Sequence, residues 1–224
     1  MKKVFKATLV AAMVLVSVGA SAQIGINIGY VNTNRTYSVD GESVTDEMNE
    51  VLANPCSGLL IGVAGDLAIQ GNLGMSWGLN YTYSFGSKTL AEFMGMSVKI
   101  KSNDHYLDVP VRLTYAFPLS DDMKLFAFAG PKFVCALAGS TKGEVSGIEL
   151  EEGEENESEK HYGKEDEAPF KRFDIKVGGG LGFQYGKYNL KAGYDLGLLN
   201  AANTSQDGFK FKSNQFYVTL GLTF

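Results

Sequence analysis

A strict alternation of side-chain character over Leu73–Phe85 constrains the fold more than any other feature of the chain. Each odd position of this segment holds a large apolar or aromatic residue, and each even position holds Gly, Ser, Asn or Thr. Successive side chains of a β-strand point to opposite faces, so the pattern predicts a strand with one apolar face. The segment is longer than the ~5–6 residues of an ordinary soluble strand, and its length suits a tilted strand that crosses a membrane.

The same alternation recurs and predicts eight strands. They are Ile24–Asn32, Gly58–Ile69, Leu73–Phe85, Tyr106–Phe117, Lys124–Ala138, Phe173–Tyr185, Tyr188–Leu199 and Gln215–Phe224. The fifth alternates least well, because Phe126 and Phe128 share a face with Lys132. An even number of strands can close into an up-and-down barrel with both of its ends on one side.

The connections between these strands are alternately short and long. Short turns are predicted at Gln70–Asn72, Pro118–Met123 and Gly186–Lys187, and long polar loops at Thr33–Ser57, Gly86–His105, Gly139–Arg172 and Asn200–Asn214. Short turns at one end and long loops at the other are typical of outer-membrane barrels. The sequence therefore predicts an all-β fold, a transmembrane up-and-down antiparallel β-barrel of eight strands.

The first 22 residues have the composition of a cleaved signal peptide. Three lysines, Lys2, Lys3 and Lys6, precede an apolar stretch from Ala7 to Val18, and Ala20–Ala22 supply a small-residue cleavage site. The apolar stretch is shorter than the ~20 residues of a membrane-spanning helix. We expect an exported chain with a signal peptide at residues 1–22 and one barrel domain at residues 23–224.

Charge and cysteine content narrow the class further. The formal net charge of −5 becomes −8 when the three leader lysines are removed, which disfavours nucleic acid as a partner. Cys56 and Cys135 are too few for a disulfide scaffold, and we expect two unbridged thiols. Aromatic residues near the strand ends predict two girdles at the membrane interfaces. One comprises Tyr115, Phe117, Tyr185, Tyr188 and Phe224, and the other Tyr83, Phe85, Tyr106, Phe173 and Phe216.

The segment Val177–Gly186 holds five glycines, which raises the alternative of a nucleotide-binding loop. A dinucleotide fingerprint requires G-x-G-x-x-G between a strand and a helix, whereas this segment gives G-x-G-x-G inside a strand. We interpret Gly178, Gly180 and Gly182 as a bare stripe on the inner wall that makes room for bulky side chains from opposite walls.

The inward positions of the strands carry four acidic and four basic residues. They are Asp66, Asp108, Arg112, Lys132, Asp174, Lys176, Lys191 and Asp195. The interior of an eight-stranded barrel is just wide enough for its own side chains, and unpaired buried charges are costly. The set therefore predicts a salt-bridge network that plugs the lumen, with Arg112 and Lys132 near mid-depth facing Asp108 and Asp195. The alternative is a narrow, charge-lined ion path.

The third long loop is the most acidic part of the chain. Between Glu144 and Glu167 eleven acidic residues stand against Lys160 and Lys164. Its centre contains Glu151, Glu152, Glu154, Glu155, Glu157 and Glu159. A divalent-cation site with His161 as an extra ligand is one reading, but the spacing of a calcium loop is missing and runs of like charge are usually solvated. We expect no metal, no cofactor and no catalytic residues. The only pairing that suggests an enzyme, Asp104-His105, puts its side chains on opposite faces of a strand.

Three segments of the predicted strands carry a family resemblance: Tyr106–Tyr115, with a proline inside the strand, Ala129–Pro131 and Phe173–Gly182. They resemble the PorT-like outer-membrane β-barrels, which are of OmpX and OmpA type in size. The aromatic residue that ends Phe216–Phe224 also resembles the C-terminal signature of such barrels. The resemblance implies a barrel and no particular activity. It implies an outer-membrane location. Because the founding member of the family is tied to protein secretion, the resemblance also implies an alternative function as an accessory barrel of a secretion system.

Together these features predict a monomeric envelope protein that acts through its surface loops. We expect contact with outer-membrane lipid and lipopolysaccharide, and with an envelope or host protein. A small-solute or ion channel is the alternative function, and it depends on whether the lumen charges are paired.

Overall fold

The computed structural model describes residues 23–39, 42–43, 55–93, 96–146, 158–160, 162, 170–202 and 210–224. The signal peptide expected at residues 1–22 lies outside the described residues. The described part is all-β. Its strands are β1 (Gln23–Val39), β2 (Glu42–Ser43), β3 (Cys56–Gln70), β4 (Leu73–Phe93), β5 (Met96–Pro118), β6 (Met123–Ser146), β7 (Ser158–Lys160), β8 (Phe173–Tyr185), β9 (Tyr188–Gly197) and β10 (Lys210–Thr223).

Eight of these strands form a closed antiparallel ring. Each long strand pairs with its neighbour in the chain, in the order β1, β3, β4, β5, β6, β8, β9 and β10. The ring closes where β10 pairs with β1, from Gly25 opposite Thr223 to Ser38 opposite Lys210. The short strands β2 and β7 pair beside β1 and β6. The predicted eight-stranded barrel is therefore confirmed.

The two ends of the ring differ. The turns after β3, β5 and β8 lie at one end, here called the turn end, and the longer connections lie at the other, the loop end. Gly71 and Gly186 occupy the turns with φ of 56° and 53°, a left-handed conformation that glycine adopts without a steric cost. No helix in the described ranges is long and apolar enough to cross a membrane.

Several strands extend further toward the loop end than the sequence predicts. The second predicted loop, Gly86–His105, is wrong, because β4 and β5 continue as a paired ladder as far as Phe93 and Met96. Their neighbour β6 likewise continues to Ser146. In the β5 extension the apolar residues Met96, Val98 and Ile100 stand at even positions, whereas those of the spanning part stand at odd positions. The outward apolar pattern that marks the lower strands therefore ends there while the backbone pairing continues.

Burial alternates along the barrel wall. The outer wall exposes apolar side chains such as Ile28 (57%), Leu59 (63%) and Leu181 (68%), whereas the inner wall buries polar and charged ones. An apolar outer face and a polar interior are the arrangement of a membrane barrel. The girdle prediction is wrong for Tyr106, which faces the lumen and donates or accepts a hydrogen bond with the Tyr162 hydroxyl at 2.7 Å. Cys56 and Cys135 are not bridged to each other.

The glycine stripe on β8 makes room for two phenylalanine rings. A Cβ at Gly180 would stand 2.6 Å from Cζ of Phe128, and a Cβ at Gly182 would overlap the ring of Phe126. Phe126 and Phe128 lie directly opposite these glycines on β6. The sequence interpretation, in which the bulky side chains come from the opposite wall, is therefore wrong, because the rings come from the adjacent strand. This packing also explains why the alternation on β6 is poor.

Candidate functional site

The middle of the lumen is held by one carboxylate that joins two cations. Asp195 on β9 is fully buried, and its Oδ1 and Oδ2 lie 2.7 Å from Nη2 of Arg112 and 2.7 Å from Nζ of Lys132. Arg112 lies on β5 and Lys132 on β6, so the cluster links three strands. Arg112 also donates to the backbone carbonyl of Gly130. The two cations compensate the buried carboxylate, as a buried charge requires. Within the described residues Oδ2 of Asp195 is held by the ion pair to Lys132 and not by a hydrogen bond.

The second carboxylate of the middle layer has neutral partners. Asp108 accepts hydrogen bonds from Nδ2 of Asn80 at 2.9 Å and from Oγ1 of Thr82 at 3.3 Å. The sequence predicts that Asp108 faces Arg112 and Lys132, but both cations make their ion pairs with Asp195. The amide and hydroxyl donors stand on β4, the strand next to β5, and stabilise the carboxylate locally.

Two lysines tie β6 and β8 to β10. Lys132 donates to the side-chain oxygen of Gln215, and the Gln215 amide donates to Oγ1 of Thr33 at 3.3 Å. Lys176 donates to the carbonyl and to the hydroxyl of Ser213, each at 2.6 Å, and lies 3.8 Å from Asp174. Hydrogen bonds therefore cross the lumen as well as following the wall.

A further buried ion pair lies nearer the loop end, between Arg35 on β1 and Asp104 on β5. Arg35 is 8% exposed and Asp104 is fully buried. Sequence reasoning missed this pair because it assigned both residues to loops. The signal was present on β1, where Val31, Thr33 and Arg35 continue the inward parity past the predicted end of the strand.

The remaining two predicted lumen residues lie apart from this network. Asp66 and Lys191 line a wide vestibule at the turn end, together with Lys124 and Asn189. Within the part of the chain that the structure describes, neither Asp66 nor Lys191 forms an ion pair. The ammonium of Lys191 lies 5.7 Å from the centre of the Phe126 ring, a cation–π contact.

Free space in the lumen decreases from the turn end to the loop end. The vestibule has a volume of about 290 Å³, a cavity around Asp195 about 70 Å³, and a cavity beside Arg35 and Lys176 about 40 Å³. The ion pairs and the two phenylalanine rings interrupt the space between them.

Residues from the longer connections cover the loop end of the lumen. The rings of Phe170 and Phe211 stack at 4.5 Å, and Phe170 also contacts Tyr162 at 6.3 Å between ring centres. Arg172 donates to the carbonyls of Leu137 at 2.7 Å and of Tyr162 at 3.1 Å. We call Tyr162, Phe170, Arg172 and Phe211 the cap; the first three lie in the longer connections and Phe211 lies at the start of β10. Burial raises the pKa of the Tyr162 phenol well above its ordinary value, so the phenol stays neutral and keeps its hydrogen bonds.

The acidic loop falls mostly outside the described residues. This applies to Glu151, Glu152, Glu154, Glu155 and Glu157 and to His161, while the backbone of Glu159 lies in β7 opposite Thr141. Among the residues that are described, no group of three or more His, Cys, Asp or Glu side chains could hold a metal ion.

Asp104 and His105 lie on opposite faces of β5. Asp104 pairs with Arg35 inside the lumen, whereas Nδ1 of His105 lies 2.6 Å from the hydroxyl of Tyr81 on the outer wall. The two side chains therefore do not form a hydrolytic pair.

The model of the outer membrane protein beta-barrel domain family matches residues 16–203. No curated protein sequence matches the chain. Similar solved structures include Ail of Yersinia pestis in complex with the heparin analogue sucrose octasulfate, with 15% identity, 91% of this chain and 99% of that chain covered, and a TM-score of 0.40. OprG of Pseudomonas aeruginosa is 12% identical, with 91% of this chain and 96% of that chain covered and a TM-score of 0.41. The outer membrane enzyme PagL is 12% identical, with 90% of this chain and 99% of that chain covered and a TM-score of 0.42. The match to the family model covers most of the chain, and the chain therefore belongs to the outer membrane protein beta-barrel domain family of the bacterial outer membrane.

Proposed function

We propose that this protein is a non-conducting, monomeric envelope barrel whose lumen is a structural plug and whose binding function resides at the loop end. The observation that carries the proposal is the buried Asp195, which joins Arg112 and Lys132 across the middle of the lumen at 2.7 Å each. Charges that satisfy one another in a confined interior hold the wall together and exclude water. A conducting path would instead need lumen charges that face water.

The cap supports a binding role for the loops. The stacked Phe170 and Phe211 and the Arg172 hydrogen bonds fix the base from which the longer connections project. The acidic loop adds a net charge of −9 between Glu144 and Glu167, which suits a basic surface on an envelope or host protein. Asp104 and His105 face opposite sides of the wall, so we propose no catalytic role.

Planar-bilayer conductance of the refolded barrel, Gln23–Phe224, tests the plug. We expect no openings from the wild-type protein, and openings together with a lower thermal midpoint from Arg112→Ala. Lys187→Ala, at an exposed turn-end lysine, is the matched control and should stay silent. Heat-modifiable gel mobility shows that each variant is folded. Discrete openings from folded wild-type protein would establish the channel alternative, and an Arg112→Ala variant that is both silent and fully stable would refute the plug.

Binding to polylysine-coated beads tests the loop. The probe should retain the wild-type barrel at low salt and release it at high salt, since exposed charges are screened. Replacement of Glu151, Glu152, Glu154, Glu155, Glu157 and Glu159 by Gln should abolish retention. Asp121→Asn and Asp122→Asn, at exposed positions of a turn, remove acidic charge away from the loop and should leave retention intact. Equal retention of the loop variant would refute the role of the acidic loop.

A further inference from the structure

The vestibule at the turn end holds charges that the rest of the lumen does not compensate. Asp66 on β3, Lys124 on β6 and Lys191 on β9 all line it, and none of the three forms an ion pair within the residues that the structure describes. The cluster around Asp195, deeper in the lumen, is by contrast paired. Charged groups of both signs around one cavity suit a ligand that carries complementary charges.

The two lysines lie on the wall opposite Asp66. In the closed ring, β3 and β8 are four strands apart and face each other across the lumen. Lys124 is in register with Gln184 on one side of β8, and Lys191 is in register with Gly182 on the other side. Eight strands ~4.8 Å apart and tilted by ~40° give a barrel roughly 16 Å across, and the side chains reduce the distance between the carboxylate and the ammonium groups to roughly 6–7 Å.

A buried acceptor without a donor lies beside the lysines. Asn189 is in register with Gln184, is 7% exposed and lines the same vestibule. Its Oδ1 has no hydrogen-bond partner in the described part of the chain, and its Nδ2 lies 3.5 Å from Oγ1 of Thr223. That bond is at the long end of the hydrogen-bond range, so the amide can turn toward the vestibule at little cost. An unpaired buried acceptor favours a ligand that brings an N–H or O–H donor.

The volume of the vestibule sets the size of this ligand. About 290 Å³ lies just below the ~300–1,000 Å³ of pockets for drug-sized molecules, and at ~30 Å³ per water it holds about ten non-hydrogen atoms. The short turns of outer-membrane barrels lie on the periplasmic side, so the ligand enters from the periplasm. It is therefore small, polar and water-soluble.

We propose that the vestibule binds a zwitterionic dipeptide. Its N-terminal ammonium pairs with Asp66, its C-terminal carboxylate pairs with Lys124 and Lys191, and its peptide N–H donates to Oδ1 of Asn189. Two extended residues span ~7 Å, which matches the gap between the charged groups, whereas the two charges of a single α-amino acid are only about 3 Å apart. The site lies at the other end of the lumen from the cap, so the proposal is independent of the plug and of the acidic loop.

Isothermal titration calorimetry of the refolded barrel in detergent tests the proposal. The probe is alanyl-alanine, and its N-acetyl and C-terminal amide forms each lack one of the two charges. We expect saturable binding of alanyl-alanine by the wild-type protein. Each modified peptide should bind about tenfold more weakly, because each loses a charge-assisted contact.

Substitutions assign the contacts to side chains. Asp66→Asn should bind alanyl-alanine no more tightly than its N-acetyl form, and a Lys124→Gln, Lys191→Gln double variant should bind it no more tightly than its amide. Lys187→Gln, at an exposed turn-end lysine, is the matched control and should bind as the wild type does. Heat-modifiable gel mobility shows that each variant is folded.

The contrary results are distinct. No saturable heat from folded wild-type protein would overturn the site, and equal affinity for free alanine would overturn the dipeptide span. A tenfold preference that persists in Asp66→Asn or in the double variant would overturn the assigned contacts. None of these results depends on conductance or on polylysine binding, so failure of this proposal is distinguishable from failure of the proposed function.

Discussion

Removing the carboxylate of Asp195 is the most direct perturbation of the lumen. At 2.7 Å and an effective dielectric constant of 20, each of its two ion pairs has a Coulomb energy of roughly 6 kcal/mol before desolvation is subtracted. Loss of one partner from a buried pair costs about 3–5 kcal/mol in practice. Arg112 keeps its bonds to backbone carbonyls and Lys132 keeps Gln215, so we expect the lower end of that range. Asp195→Asn should therefore destabilise the barrel by about 3 kcal/mol.

Equilibrium unfolding in urea, with the barrel in lipid vesicles, measures this loss, and Trp77 is the single tryptophan that reports it. Asp121→Asn, at an exposed turn residue, is the control and should leave the midpoint unchanged. A second variant separates a lost ion pair from general disruption of the core. Replacing Arg112 and Lys132 by Met and Asp195 by Leu removes all three charges of this cluster together. Replacing a whole buried ion cluster by apolar residues often leaves the free energy of unfolding unchanged or raises it. A loss below about 1 kcal/mol in Asp195→Asn would refute the reasoning.

Two further predictions concern packing and the cap. Gly182→Leu should lower the free energy of unfolding by about 1–3 kcal/mol, because the new side chain overpacks against the Phe126 ring. Phe126→Ala should restore stability in the same unfolding assay, and failure of this rescue would refute the close contact. Gly143→Ala is the control and should be neutral, because a Cβ there meets no atom within 4 Å. The raised pKa of Tyr162 means that its stabilisation of the cap is complete below the ordinary value of 10.0 and is lost as pH rises through the folded pKa. Protection of the loop end from proteolysis should therefore fall above about pH 10 in the wild type and less steeply in Tyr162→Phe, and identical pH profiles would contradict this assignment.

The sequence predicts the barrel well because its main determinant is local. An apolar lipid face and a polar lumen impose period two on every spanning strand, as in Leu73–Phe85, and the family match and the structure confirm the result. Pairing of the lumen charges is harder to foresee. Parity shows that Asp195 faces inward, but the choice of its partners depends on strand tilt and register across the lumen, which are non-local properties.

Prediction fails where the membrane no longer acts on the chain. Beyond the hydrocarbon region the outer face of a strand no longer has to be apolar, so the alternation that marks the spanning part is not imposed there. The extension of β4 and β5 was missed for this reason, whereas the pair between Arg35 and Asp104 was missed because the inward parity of β1 was not followed past Asn32. The lumen position of Tyr106 was a different error, because the girdle assignment relied on residue type and disregarded the inward parity that Tyr106 shares with Asp108.

The seam between β1 and β10 has a consequence for the order of folding. Its ladder pairs Gly25 with Thr223, residues at opposite ends of the barrel sequence, while the other long strands each pair with the next one along the chain. Pairing of neighbouring strands closes short loops of chain, whereas pairing of β1 with β10 closes the longest loop. The entropic cost of closing that loop is offset only after the contacts between β1 and β10 have formed. Until then the growing sheet carries two open edges, and unpaired backbone groups are costly in hydrocarbon. Folding should thus end in a slow step that zips the first strand to the last, and substitutions confined to the seam should slow that step more than those in any single hairpin.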